Sequence, residues 1–187
     1  MRYSQDHKAQ THQRIVKEAS ARFRRDGIGA TGLQPLMKAL GLTHGGFYAH
    51  FKSKDELVET ALRDATAQLR EHCETTFAAQ RPLASFIESY LSVAHRDGAE
   101  RGCPLPTMAA ELGQRGTPSA IADEAIGAHL KRIAQSLGGG DGADQQSVMM
   151  LSSMVGALLL SRSVQDPALS ERILNTARDA LVSQAGG

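Results

Sequence analysis

An all-α fold is predicted from three observations on this 187-residue chain. No hairpin dipeptide stands between alternating apolar runs, so nothing reads as a strand. Apolar residues recur at three- and four-residue steps along most of the sequence. Residues that cap or break helices stand at the ends of those stretches. About nine helices result. The first three form a head, residues 1–54, and the rest form a longer body, residues 55–187.

The first helix is expected over about 8–26, where Ile15, Ala19 and Phe23 repeat every four residues with Val16 alongside. Gly27 ends it from the C′ position. The second, about 34–40, carries Pro35 in its first turn, where an amide is not needed, and stops at Gly41. Thr43 can cap the third, about 44–50. Ser53, with Glu56 three residues on, forms a capping box for a long fourth helix that ends near 79, before Arg81-Pro82. Leu57, Ala61, Ala65 and Leu69 line its inner face. A fifth, about 83–96, turns Leu83, Phe86, Ile87, Tyr90, Leu91 and Ala94 inward, and 97–102 reads as a polar loop. A short helix follows Cys103-Pro104-Leu105-Pro106 and reaches Leu112. Thr117-Pro118 opens the seventh, about 118–137, as N-cap and N1. After a flexible loop at 138–142 come two last helices, about 143–164 and 167–184. The first is apolar almost all round from Val148 to Leu160, so it must be covered on more than one side. Beside the amphipathic stripe of Leu169, Ile173, Ala177 and Leu181, it predicts a subunit interface and a homodimer.

Composition excludes several classes. Hydrophobic residues make up 41 % and tryptophan is absent. The polar N-terminus has no apolar h-region, and the longest apolar run is too short to span a bilayer, so a cytoplasmic protein without a membrane partner is expected. Two cysteines make no disulfide framework, and no Cys/His spacing fits zinc or another metal. The histidines are scattered, no Ser-His-Asp or paired-carboxylate arrangement can be placed, and no enzyme or cofactor is expected. The net charge of +1 is uninformative, but its distribution is not. Residues 1–54 carry +7 and residues 55–187 carry −6. A basic head on an acidic body suits a module that meets phosphate at one end.

Residues 41–54, Gly-Leu-Thr-His-Gly-Gly-Phe-Tyr-Ala-His-Phe-Lys-Ser-Lys, are the most informative stretch. Two helices meet there around a tight turn. His44, Gly45, Gly46, Tyr48 and His50 are offered to a partner, while Phe47 and Phe51, four apart, anchor the element from behind. Small residues at a helix N-terminus, with hydroxyl and basic groups beside it, suit insertion into the DNA major groove.

The layout resembles the TetR family of one-component bacterial transcriptional regulators. The resemblance is carried by Ala19, Phe23 and Gly27, by Thr31, and by Gly41-Leu42-Thr43. It continues through Gly45-Gly46-Phe47-Tyr48, His50-Phe51 and Lys52-Ser53-Lys54-Asp55-Glu56-Leu57. It covers most of 8–60 closely and the remainder only in helix number, spacing and length. Pro35 stands where the family commonly has an acid, and Met37 where it usually has alanine.

The resemblance implies a helix-turn-helix head that binds double-stranded operator DNA as a dimer, most often as a repressor. Thr43, His44, Gly45 and Gly46 would approach bases or phosphates, and Tyr48 and His50 the backbone. Lys52 and Lys54 would meet phosphate, with Thr31 and Gln34 as further phosphate contacts. The body would bind a small-molecule effector and dimerise through the helices near 143–164 and 167–184. Phe77, Phe86, Tyr90, His95, Cys103, Met108, Met150 and Met154 are the expected effector pocket. Cys103, after Arg101-Gly102 and before a proline-opened helix, is a second possibility of its own: a thiol of lowered pKa that senses electrophiles or oxidants. The alternative for Cys103 is simple packing. The rival to the whole assignment is a helical adaptor whose basic head binds an acidic protein.

Overall fold

The computed structural model describes residues 2–185, with side chains from Asp6 onward. It is all-helical. In the head, α1 (Arg2–Asp26) and α2 (Leu33–Ala39) precede a short 3₁₀ turn at Gly45–Ala49. The body holds α3 (Lys54–Phe77), α4 (Pro82–Tyr90), α5 (Val93–Asp97), α6 (Ala110–Gln114), α7 (Ala120–Ser136), α8 (Asp141–Ser163) and α9 (Pro167–Ala185).

Most predicted ends hold. Gly27 terminates α1 in the left-handed region at φ 91°, its amide bonding to the Phe23 carbonyl. Ser53 caps α3, its hydroxyl accepting from the Glu56 amide at 3.1 Å. The return arm of that box lands one residue early: the Glu56 carboxylate accepts from the Lys52 amide at 2.6 Å. Met37 is fully buried, and its carbonyl takes the Leu40 and Leu42 amides that end α2.

Five expectations need correction. The expected third helix is the 3₁₀ turn, because two glycines and only five residues cannot sustain an α-helical ladder. The fifth breaks at Leu91–Ser92, where Ser92 caps α5 by accepting from the His95 amide; Ala94 is exposed as a result. The seventh opens at Ala120, capped by Ser119 rather than by Thr117-Pro118. The polar stretch after α5 is not a free loop: Ala99–Arg101 forms a 3₁₀ turn that packs on α1. Finally, α8 starts at Asp141, inside the expected glycine loop, after Gly138, Gly139 and Gly140 all adopt positive φ.

Two apolar cores result. One joins α1, α2 and the 45–49 turn to the first three turns of α3, and it includes Met108 and Ile121 from the body. The packing unit of the head therefore extends past residue 54. The other core joins α4, α7, α8 and α9 with the second half of α3. Helix α8 sends Met150, Leu151, Met154 and Leu158 into that core, yet leaves Val148, Met149, Leu159 and Leu160 exposed, Met149 at 67 %.

Candidate functional site

The head presents one compact polar face. Phe47 and Phe51 stack at 5.5 Å and are buried, so the 45–49 turn is anchored from behind. The Thr43 hydroxyl accepts from the Gly46 amide at 3.2 Å and fixes the start of the turn. Tyr48 is then driven outward, 60 % exposed, with His44 against its ring edge at 5.9 Å. Gln34, Thr43, His44, Gly45 and Lys52 are exposed too, and Gly46 and His50 are half-buried. These are hydroxyl, imidazole, amide and ammonium groups around a glycine-bared backbone, the mixture that contacts phosphates and base edges.

Two residues expected on this face are spent internally. Thr31 is buried and donates its hydroxyl to the Gly27 carbonyl at 2.7 Å. Lys54 donates from Nζ to the Ile28 and Thr31 carbonyls at 2.6 and 2.7 Å, and burial lowers its pKa. Both pin the α1–α2 loop to the start of α3. The structure also brings up groups that sequence spacing missed. His12 of α1 stacks on Phe51 at 4.5 Å and stands 6.1 Å from His50. Burial first, then the charges of His12 and Lys8, push the His50 imidazole toward its neutral form. The +7 charge of the head was the only sequence signal for Lys8, and none existed for His12.

In the body, a cavity of about 320 Å³ opens between α3, α4, α5 and the 99–103 segment. Of the eight expected pocket residues, Phe86, Tyr90, His95 and Cys103 line it. Phe77 packs on Phe86 at 5.0 Å, and Met150 and Met154 are buried in the body core. Met108 belongs to the head core instead, carried there by the turn Leu105–Ala109, whose Ala109 amide reaches back to the Pro104 carbonyl. Gln68, Leu69, His72, Ser89 and Arg101 complete the cavity wall. Leu69 was legible as part of the inner stripe of α3, whereas Gln68, His72 and Ser89 read in sequence as ordinary exposed helix residues.

Gly102 is the tight point of that wall. A Cβ there would lie 2.6 Å from His95 Nε2. The imidazole is fixed from both sides. Its Nδ1 donates to the Tyr90 carbonyl at 2.7 Å, and its Nε2 accepts the Cys103 amide at 3.0 Å. Acceptance at Nε2 requires the neutral ring, and burial lowers the His95 pKa to about 4. Cys103 does not fit a sensor. It is 2 % exposed, burial raises its thiol pKa, and the Arg101 side chain points to solvent beside Glu100. Cys73 is likewise buried, its pKa pushed up to about 11.

Head and cavity share a wall. Buried Arg24, near the end of α1, donates to the Ser20 carbonyl, to the Gly102 carbonyl at 3.2 Å and to Gln68 Oε1 at 3.0 Å. Below it, the Glu111 carboxylate of α6 accepts the Ile28 and Gly29 amides at 2.6 and 2.7 Å.

Residues 15–61, which contain α2, the 45–49 turn and its anchors, match the bacterial regulatory proteins of the tetR family. The head, residues 15–61, belongs to that family. The HTH-type transcriptional repressor KstR2 of Mycolicibacterium smegmatis is 30 % identical over 105 residues, 49 % of this chain and 51 % of that protein. The HTH-type transcriptional regulator TtgR of Pseudomonas putida is 31 % identical over 72 residues, 38 % and 34 % of the two chains. The matches thus span about half or less of these curated relatives. The tetR-family fold extends further than the sequence likeness. A TetR transcriptional regulator from Chloroflexus aurantiacus superposes with a TM-score of 0.78 at 24 % identity over 98 % of this chain and 96 % of that one. Escherichia coli NemR in its reduced form gives 0.75 at 18 % over 92 % and 95 %. Among the described residues no helix is long and apolar enough to cross a membrane, and no group of three or more His, Cys, Asp or Glu could hold a metal ion.

Proposed function

We propose that this protein is a transcriptional repressor that binds a palindromic operator as a homodimer and is released by a small molecule held in the cavity beside Gly102. One observation carries the reading: the buried Phe47–Phe51 pair forces Tyr48, His44 and Lys52 outward around two glycines, at the basic end of the chain. In this reading Gln34, Thr43, His44, Gly45, Gly46, Tyr48, His50 and Lys52 meet the operator, while Thr31 and Lys54 hold the head in shape. Few of these side chains can read a base, so DNA shape supplies part of the specificity. The apolar surface that α8 leaves exposed supports dimerisation, together with the adjoining groove lined by Leu160, Leu169 and Ile173 of α8 and α9. Effector release would act through Arg24, which touches the cavity wall and belongs to the head. Occupancy that moves Gly102 or Gln68 changes what holds α1, and so the spacing of the two heads.

The test is a mobility-shift titration with DNA from upstream of the gene, repeated across salt concentrations. Steep salt dependence with sequence preference supports the repressor. Tyr48→Ala and Lys52→Ala should each weaken binding by about 1 kcal/mol or more, without changing the melting temperature. Binding indifferent to sequence, or unaltered in both variants, favours an adaptor. Leu160→Glu, assayed by sedimentation, should dissociate the dimer and abolish operator binding; a dimer that survives it would place the interface elsewhere.

A further inference from the structure

A second cleft, of about 310 Å³, lies between α3 and α7. It shares only Leu69 with the lining of the cavity beside Gly102. The body as a whole is acidic, yet this cleft is lined by three arginines, Arg63, Arg70 and Arg132, and one acid, Glu124. The two helices run side by side in the same direction. Ile121, at the start of α7, belongs to the same core as Leu62 and Ala65, and Arg132, near its end, meets Glu74. Arg63 and Glu124 therefore stand at one end of the cleft, where their charges offset. Arg70 and Arg132 stand at the other, where they do not. Arg70 is in no ion pair among the described residues. Glu74 is 64 % exposed and comes no closer to Arg132 than 3.6 Å.

Arg132 is set deeper than an ordinary surface arginine, its side chain only 27 % exposed. It lies beside the buried Cys73 thiol and His129 ring, close enough to influence the ionisation of both. Neither neutralises it: desolvation pushes the thiol up to about 11 and the imidazole down to about 4, so both are uncharged. A guanidinium whose nearest carboxylate is distant and solvated keeps donors to spare, in a planar fork that matches phosphoryl oxygens. Between the two ends the floor is apolar, made by Leu69, Ala125 and Ala128. The small alanines leave room for a chain laid along the groove.

We propose that this cleft binds a small phosphate monoester with a short aliphatic tail. Arg70 and Arg132 take the phosphoryl oxygens, and the tail lies over Ala128, Ala125 and Leu69 toward Ile121. Two guanidinium groups balance the charge of about −2 that a monoester carries at neutral pH. A monocarboxylate leaves one of them unbalanced, and a cation meets two like charges. The site is separate from the cavity beside Gly102 and from the DNA-facing surface, and it stands whether or not that cavity holds an effector. Arg70 is 16 residues beyond Lys54 on α3, about 24 Å along the helix axis from the head, which favours a small molecule over operator phosphates.

The experiment uses the full chain and four probes: butyl phosphate, inorganic phosphate, pentanoate and butanol. Binding is followed by calorimetry and by the rise in melting temperature that a ligand specific to the folded state produces. Butyl phosphate should bind about threefold or more tightly than inorganic phosphate, because its tail is buried. It should bind at least about tenfold more tightly than pentanoate or butanol. Arg70→Gln and Arg132→Gln should each weaken butyl phosphate by about tenfold or more, whereas Lys52→Ala, in the head, should leave its affinity unchanged. Arg70 is exposed, so Arg70→Gln decides should Arg132→Gln fail to fold. Equal binding of inorganic phosphate or pentanoate, no binding of butyl phosphate, or affinity that survives Arg70→Gln overturns the proposal. Mobility shifts with long DNA are measured in parallel. If Arg70→Gln weakens them while butyl phosphate does not bind, the cleft belongs to flanking DNA and the proposal falls.

Discussion

Arg24, two residues from the end of α1, donates from Nη1 to the carbonyl of Gly102, 78 residues further along the chain, at 3.2 Å. Its Nη2 holds Gln68 in the same wall. A side chain of the head is thus part of the cavity's boundary. Arg24→Met should therefore loosen residues 99–103 and the last turn of α1, seen as faster amide hydrogen exchange there. Global stability should change by no more than about 1 kcal/mol, because relief of an uncompensated buried charge offsets the lost hydrogen bonds. Unchanged exchange in 99–103 would mean that Arg24 does not hold that segment.

Gly102 is glycine for want of room, not for its backbone angles. Its φ of −80° suits any residue, but a methyl group would collide with an imidazole bonded at both nitrogens. Gly102→Ala should cost about 1–3 kcal/mol in urea unfolding. Gly127, exposed on α7 with nothing near its Cβ position, gives the contrast. There Gly→Ala should stabilise by about 0.5–1 kcal/mol through helix propensity alone. Equal effects at the two sites would contradict the packing assigned to His95.

Acid should unfold this protein early. His129 is buried and His95 half-buried, and desolvation lowers each imidazole to about 4 from its ordinary 6.5. Above pH 6.5 both states hold these rings neutral and no penalty exists. Between 6.5 and 4 the unfolded chain binds protons that the folded chain refuses, so stability falls as pH falls. Below 4 the loss levels off. The slope should approach about 1.4 kcal/mol per pH unit for each ring. His129, which stacks on Phe86, can be replaced: His129→Leu should remove roughly half of the histidine-linked slope. A wild-type stability flat between pH 6.5 and 5 would be inconsistent with both burial assignments.

Neither thiol should behave as a sensor. Cys73 and Cys103 are free and buried, and desolvation opposes the thiolate in each. Ellman's reagent should react with the native protein only as fast as it opens, and with two thiols per chain after denaturation. Cys103→Ser should leave any ligand response intact. Rapid reaction of one thiol in the native state would restore the sensor alternative.

The gap between expectation and structure follows local and non-local lines. Phe47 and Phe51 were legible as anchors because four-residue spacing fixes a shared face whatever the remaining chain does. Ser53 was legible because a cap satisfies amides within three residues. The break at Ser92 was not legible: apolar periodicity runs through it, and a serine inside an apolar stripe does not announce that it caps a new helix. Met108 went to the wrong core. Its spacing marked it as buried, but not against which partner.

By itself, then, the sequence determined what is local: helical periodicity, the ends at Gly27 and Ser53, the Phe47 and Phe51 anchors and the basic head. Each of these depends on interactions within about one helical turn, or on charge counted along the chain. Tertiary structure decided which polar groups remain free to act. It spent Thr31 and Lys54 on carbonyls, buried the Cys103 thiol, and brought Arg24 to the Gly102 carbonyl. Those outcomes depend on contacts across many tens of residues, where burial and partner choice set the energy of a charge, and no periodicity along the chain encodes them.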